Sequence, residues 1–331
     1  MDEKIKISLP KITLVLLKKD CEDFKVTKQN GVPNMNAFIN TLISNYYEDF
    51  SAHEESLYDD IKSALSPVPE YYREKAFYDV VKLFAKNADY TDGKKDTTTF
   101  SFKPSKVAEK AVTYIENVIL KSESISSFYR RMFISYSQKT KNEREKIIHK
   151  ENFELLQRAI KKGVKICAVL QSGEVLNKLS VYSVSPAKDE LFNYLLAYGD
   201  KHNNTVRLAK IRSVSLLSEK AEMPVENSKL FERQVACAAQ YPMYSTDNEL
   251  IKVQLTEKGK NLFNRIYLYR PTPISIDGDV YTFNCSANQL LYYFERFGDS
   301  ALILSPKKLG IFMRNYYYFA LKKYRSIYRD S

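Results

Sequence analysis

Tryptophan is absent from these 331 residues, glycine occurs nine times and histidine three. Each scarcity excludes a class of chemistry. The glycines form neither G-x-G-x-x-G nor G-x-x-x-x-G-K-[ST], so no phosphate-cradling loop of the dinucleotide or P-loop kind is encoded. His53, His149 and His202 stand in unrelated segments. With no H-E-x-x-H and no G-x-S-x-G, they offer neither a base beside a nucleophile nor a zinc-ligand set. Cys21, Cys167, Cys237 and Cys285 are widely spaced without a C-x-x-C, the pattern expected of a reduced, cytoplasmic chain with no structural zinc. No apolar run reaches the ~18–20 residues of a membrane span, and the opening Met-Asp-Glu-Lys lacks a signal peptide's apolar core. We therefore expect no catalytic residues, no cofactor, no metal and no membrane association.

What the chain has in excess is positive charge and tyrosine. The net charge is +11, with a pI of about 9.1, and there are 25 tyrosines and 18 phenylalanines. Such a balance favours a polyanionic partner. Many of these rings belong to cores, but aromatic side chains interleaved with Lys and Arg are also what base stacking on a single strand requires.

The first segment, 1–50, reads as one strand and two helices. Ile5, Ile7 and Leu9 alternate with Lys4, Lys6 and Ser8, the pattern of a half-buried strand. Leu14, Leu17, Cys21 and Phe24 recur at helical spacing, and Asn34 can cap a second helix carrying Met35, Phe38, Leu42 and Tyr46. One such strand has no partner in the segment, whereas two copies can pair theirs. The segment resembles a ribbon-helix-helix unit. The resemblance implies a homodimer whose ribbon presents Lys4, Lys6 and Ser8 to duplex DNA, with a phosphate held near Asn34. The bland alternative is a strand and helix pair packing on the main body.

Residues 51–150 read as a helical connector. His53-Glu54-Glu55 opens a helix, Pro67 and Pro69 separate helices, and Phe77, Val80, Val81 and Phe84 share a face. Residues 89–103 read as a polar loop. Between 121 and 150 eight Lys or Arg face three acids, which suits a solvated surface as well as a phosphate contact.

In 151–220 a capped helix at Asn152 precedes strands at 164–170 and 175–184. Phe192 to Tyr198 then pairs with Val206 to Leu217 across a polar turn. Asn193-Tyr194-Leu195 followed by Arg207-Leu208-Ala209-Lys210-Ile211 resembles the WYL domain, with Asn193 in place of the naming Trp and Lys210 in place of an Arg. That resemblance implies a Sm-like β-barrel with a basic and aromatic nucleic-acid pocket. The residues assigned to it are Lys165, Tyr182, Tyr194, Arg207, Lys210 and Arg212.

In the last segment, 221–331, Met223-Pro224-Val225 reads as a linker and Phe231 to Tyr241 as a short helix, and residues 248–331 resemble the C-terminal extension that follows many WYL domains, a βαββαβ-like α+β unit. Asp277-Gly278-Asp279 reads as a turn between strands rather than a metal site. From Ser305 to Arg329 there are seven Lys or Arg and no acid. Phe312, Phe319 and some tyrosines are expected to fill that helix's buried face. Lys307, Lys308, Arg314, Lys322, Lys323 and Arg325 would form a basic ridge along a phosphate backbone.

The expected fold class is thus α+β and multidomain. The order of segments resembles the WYL accessory proteins of type VI-D CRISPR systems. It implies a non-enzymatic protein that binds single-stranded RNA and stimulates an RNA-guided CRISPR nuclease. The alternative is a dimeric DNA-binding regulator whose WYL pocket senses a ligand.

Overall fold

The computed structural model describes residues 4–88, 97–120, 124–244, 247 and 249–328, with the side chains of 84–88 left aside. The chain divides into two compact units, Met1–Lys150 and Glu151–Ser331. The first contains β1 (Ile5–Pro10), α1 (Lys11–Asp23), α2 (Met35–Ala64), α3 (Glu70–Ala88), β2 (Thr97–Phe102), α4 (Glu109–Tyr114), α5 (Ile125–Gln138) and α6 (Lys141–Ile148). A π-helical turn, Ile115–Ile119, continues α4.

The ribbon is built within one chain. β1 pairs antiparallel with β2, placing Ile5 opposite Phe102 and Leu9 opposite Thr98. This overturns two expectations: that residues 97–102 belong to a polar loop, and that β1 needs a second copy to find a partner. Thr97-Thr98-Thr99-Phe100 is a β-branched and aromatic run that fits a pleated surface despite its hydroxyls. Ile7, Leu9 and Phe102 are buried, while Lys4 and Lys6 are exposed. Asp92-Gly93, Phe84 and Ser122 fall outside what is described.

The Asn34 cap forms as the sequence requires, its Oδ1 accepting from the Ala37 N–H at 3.1 Å. From there α2 runs unbroken across residue 50 to Ala64, so His53-Glu54-Glu55 lies inside a helix rather than opening one. Phe38, Leu42, Tyr46 and Phe50 of α2 meet a core that includes Phe128, Met132, Phe133 and Tyr136 of α5. The helices Pro67 and Pro69 were expected to separate are α2 and α3.

The cations of 121–150 are largely spoken for. Arg131 pairs with Glu54 at 2.8 Å, Lys141 with Asp23, Lys150 with Asp49 at 3.5 Å. Arg144 Nε donates to Asp20 Oδ2 at 2.6 Å and its Nη2 to Oδ1 at 3.2 Å, and Tyr136 OH donates to the same carboxylate at 3.1 Å. Asp20 is 1% exposed. This buried network ties α1 to α5 and α6. It is an internal clamp, not a phosphate-binding surface.

The second unit opens with α7 (Lys150–Lys162), which starts at the division, and continues through β3 (Val164–Leu170), β4 (Val175–Pro186), β5 (Asn193–Gly199), β6 (His202–Arg207) and β7 (Ile211–Lys220). The strands form an antiparallel sheet in the order β6-β5-β4-β3-β7. β6 and β7 are its edges, so the five described strands do not close into the expected barrel. The expected strand from Val206 to Leu217 is two strands. A 3-10 turn at Leu208–Lys210 sends the chain from one sheet edge to the other. Leu208, Ala209 and Ile211 are all fully buried, a spacing no single strand delivers, since its successive side chains alternate between faces. Leu156 and Ala159 of α7 pack with Ile166, Leu195, Leu208 and Ile211 in the core beneath this sheet.

After α8 (Val225–Cys237), the chain forms β8 (Ile251–Leu255), α9 (Glu257–Arg265), β9 (Pro273–Asp277), β10 (Val280–Phe283), α10 (Ala287–Phe294), β11 (Ala301–Ser305) and α11 (Lys307–Ile327). From β8 to β11 this is a βαββαβ order, with the sheet running β11-β8-β10-β9. The Asp277–Asp279 segment is the β9–β10 turn, with Gly278 at φ +56°. Gly259 sits where α9 presses on the backbone of Ser300, leaving no room for a Cβ. Phe263, Phe283, Tyr293 and Phe294 centre this second core.

Candidate nucleic-acid interface

The sheet edge at β5–β6 brings a cation and rings together. Tyr194 on β5 lies directly opposite Arg207 on β6. The Arg207 guanidinium sits 3.2 Å from the centroid of the Phe192 ring. Stacking of this kind holds the planar fork in one orientation.

Three tyrosines distant in sequence complete the cluster. Tyr269 lies in the loop after α9, Tyr292 on α10 and Tyr241 after α8. Their centroids are separated by 6.3 Å for Tyr241–Tyr269, 6.2 Å for Tyr241–Tyr292 and 5.6 Å for Tyr269–Tyr292. The Arg296 guanidinium lies 5.7 Å from the Tyr292 ring centroid. Tyr269 is held in the left-handed region at φ +63°, its N–H donating to Asp189 Oδ2 at 3.2 Å. For a non-glycine aromatic such a conformation costs about 1–3 kcal/mol and persists only where the surroundings enforce it.

The same neighbours set the electrostatics. Burial raises the Tyr241 hydroxyl above the usual tyrosine range, followed by the influence of Tyr292, Tyr269, Asp189 and Tyr194. Tyr269 is raised first by burial and then by Tyr292 and Asp189, while Arg296 and Arg207 pull it back. Tyr241 and Tyr269 therefore stay neutral at physiological pH. The rings are set at angles to one another, 88° for Tyr241–Tyr269, 46° for Tyr241–Tyr292 and 73° for Tyr269–Tyr292, and an exposed ring face beside a guanidinium group can stack a base and neutralise the adjoining phosphate.

The other residues assigned to this pocket are scattered. Lys165 pairs with Glu219 at 3.4 Å, and Glu219 also holds Lys178 at 2.8 Å. Tyr182 stacks on Phe231 of α8 at 5.2 Å and so serves packing. Lys210 is exposed on the 3-10 turn that directly follows Arg207, and Arg212 is exposed on β7, at the opposite edge of the sheet from β6. The structure thus joins Tyr194 with Arg207, while Lys165 and Tyr182 have other partners and Arg212 lies on the other sheet edge. Phe192, Tyr241, Tyr269, Tyr292 and Arg296 were not assigned from sequence as site residues. Their only signal was the abundance of tyrosine near arginine.

On the ribbon, Lys4 and Lys6 are exposed and Ser8 is half-buried, with Thr99 and Ser101 of β2 beside them on the outer face. Lys307, Lys308, Arg314, Lys322, Lys323 and Arg325 are all exposed on α11. The buried face expected for that helix is far smaller than its apolar content. Met313 is buried, but Phe312 is 57% and Phe319 60% exposed.

The fold class defined by these elements is α+β, with antiparallel sheets in both units. No family model matches the chain, and no curated protein matches it in sequence. Among solved structures, a protein described as CRISPR Cas-related aligns with a TM-score of 0.68 at 18% identity, covering 99% of this chain and 95% of its own. The two share a fold across both units. Proteasome accessory factor B/C (PafBC) of Arthrobacter aurescens aligns over 72% of this chain and 40% of its own, at 15% identity and a TM-score of 0.24, too loose an overlap to bear on the fold. Among the described residues no helix is long and apolar enough to cross a membrane, and no group of three or more His, Cys, Asp or Glu could hold a metal ion.

Proposed function

We propose that this chain is a non-enzymatic, WYL-type accessory protein of a CRISPR system that binds single-stranded RNA and stimulates an RNA-guided nuclease of the type VI class. The observation that carries the reading is the Arg207–Tyr194 pair set beside the Tyr241–Tyr269–Tyr292 platform. Its support is the net charge of +11 and the fold shared with a CRISPR Cas-related protein. In mechanism, Arg207 and Arg296 meet phosphates while unstacked bases lie on the tyrosines, and the bound strand is presented to the nuclease. The five-stranded sheet, with its 3-10 turn before the last strand, would be an opened relative of a Sm-like barrel.

The dimer belongs to the same proposal, on changed grounds. β1 is paired on one edge by β2, and its other edge has no partner among the described strands. A second copy would extend the ribbon there. The regulator alternative places duplex DNA on the face carrying Lys4, Lys6 and Ser8, a thin set beside the Arg and Asn side chains that read base edges.

The test is a target-RNA cleavage assay with a type VI nuclease at limiting guide complex, with and without this protein. Stimulation that falls with Arg207→Ala supports the proposal. An unchanged cleavage rate at saturating protein removes it.

A further inference from the structure

We propose that the second unit carries another ligand pocket, separate from the Arg207 cluster, that takes a nucleoside phosphate. It lies where the β5–β6 turn faces α8 and Met243–Tyr244, in a cavity of about 770 Å³. That volume falls within the ~300–1,000 Å³ of small-molecule sites. Asn203 lines it from one end of β6 and Arg207 stands at the other. About 13 Å of strand separates them, at ~3.3 Å per residue.

The lining has the chemistry of an anion site with a flat apolar wall. Lys201, Lys229 and Arg233 contribute three cations against the single acid Glu226. Arg233 is already oriented, its Nη2 donating to the Asp247 carbonyl at 2.8 Å and to Asn284 Oδ1 at 2.9 Å. His202 Nδ1 lies 3.0 Å from the Asp200 carbonyl, so the N–H sits on Nδ1 and leaves Nε2 for a ligand. Asn227 Nδ2 donates to Asn203 Oδ1 at 2.9 Å, whereas the buried Asn203 Nδ2 has no acceptor among the described residues. Such a donor is costly to bury unless something accepts from it.

The turn adds a second observation. Asp200 and Lys201 are consecutive left-handed residues, at φ +49° and +65°. A two-residue hairpin of that shape favours Asn-Gly or Asp-Gly. A lysine at the second position is strained where glycine would not be, and it puts a cation on the cavity. The exposed Tyr244 ring and Leu230 also line the cavity and offer apolar surface on which a base can lie. Phosphate at the lysines and base at the tyrosine account for the cations and for the apolar part of the lining. The choice of a nucleotide over another phosphorylated small molecule rests on the nucleic-acid reading above. The preference for an anion does not.

The test is calorimetric titration of the full chain with adenosine monophosphate, inorganic phosphate and adenosine. We expect the monophosphate to bind at least ~10-fold tighter than either fragment, with a Kd below ~1 mM. Lys201→Glu with Lys229→Glu, both solvent-exposed and checked by an unchanged melting curve, should weaken it at least ~10-fold, while Arg207→Ala leaves it in place. No saturable monophosphate binding, or binding indifferent to the two charge reversals, overturns the pocket. Competition by 5′-phosphorylated but not 5′-hydroxyl RNA of one sequence identifies a strand end as the source of the ligand. Monophosphate binding without that distinction identifies a free nucleotide, and either result supports the site. Single-strand RNA binding, followed in parallel, separates the two readings. RNA binding without monophosphate binding sinks the pocket alone, and monophosphate binding without RNA binding sinks the proposed function alone.

Discussion

Replacing Arg207 by alanine should remove one ordered cation from the base-stacking platform while leaving the fold intact. The guanidinium rests 3.2 Å from the centre of the Phe192 ring, on an edge strand, opposite Tyr194. For single-stranded nucleic acid, each phosphate neutralised contributes a slope of about −0.7 in log K against log salt, so Arg207→Ala should flatten the slope by about that amount. A hydrogen bond to a charged group is worth about 1.5–3 kcal/mol, which predicts a loss of roughly 10- to 150-fold in affinity. Arg207→Lys separates charge from geometry. It should restore the slope but only part of the affinity, because an ammonium cannot lie flat on Phe192 or bond a phosphate through two parallel N–H groups. Fluorescence anisotropy with a labelled single-stranded RNA, over a salt series, reads both quantities. Arg212→Ala is the control, since Arg212 is exposed on β7, at the opposite edge of the sheet from β6. A larger effect from that change than from Arg207→Ala would refute the assignment.

Asp20→Ala should cost about 3–5 kcal/mol, because it strands the Arg144 guanidinium in the interior. Urea denaturation measures this, and a second change, Arg144→Met, should recover much of the loss; a cost below ~1 kcal/mol would mean the clamp contributes little. Gly259→Ala should destabilise the second unit by about 1–3 kcal/mol, since the new methyl meets the Ser300 backbone; an unchanged melting temperature would show that α9 and that segment move apart freely. Met313→Ala should cost about 2 kcal/mol or more, against little for Phe312→Ala with Phe319→Ala, because only the first of these side chains is buried. Alkali should unfold the protein from about pH 10 upward. Burial raises Tyr129, Tyr136, Tyr241 and Tyr293, the last to about 12. A tyrosine whose folded value exceeds its unfolded one stabilises the fold fully below the unfolded value and loses that contribution as pH rises through the folded one. Stability that stays flat from pH 10 to 12, on denaturant midpoints, would contradict the burial of these hydroxyls.

Local periodicity made much of the architecture legible. The N-terminal strand, the Asn34 cap and the strands at 164–170 and 175–184 follow from patterns within a dozen residues, whereas the βαββαβ order after residue 248 was what the family resemblance implied. Three features needed information the local sequence does not hold. Thr97–Phe102 looked like a loop because three hydroxyls mask β-branched side chains, and only the buried Phe102 opposite Ile5 shows its role. The break at Leu208–Lys210 was hidden because residues on either side of it alternate acceptably. The site was half visible. Tyr194 and Arg207 are close in sequence and meet by strand pairing, whereas Tyr241, Tyr269 and Tyr292 come from three separate segments that only the tertiary fold brings together. Lys165 and Arg144 illustrate the converse. Lys165 was assigned to the pocket and Arg144 belongs to the basic stretch 121–150, and each has an acid from a distant segment, Glu219 and Asp20, beside it.

The most direct test of the account compares anisotropy titrations of a mixed-sequence single-stranded RNA and of duplex DNA, the latter including the region upstream of the protein's own gene. Ionic strength is held at about 150 mM, where non-specific contacts are already weakened. The account predicts tight RNA binding that Arg207→Ala and Tyr269→Ala each reduce, together with weak duplex binding. Tight binding confined to the upstream duplex and unaffected by those two changes would contradict it, and would move the function to the ribbon carrying Lys4, Lys6 and Ser8.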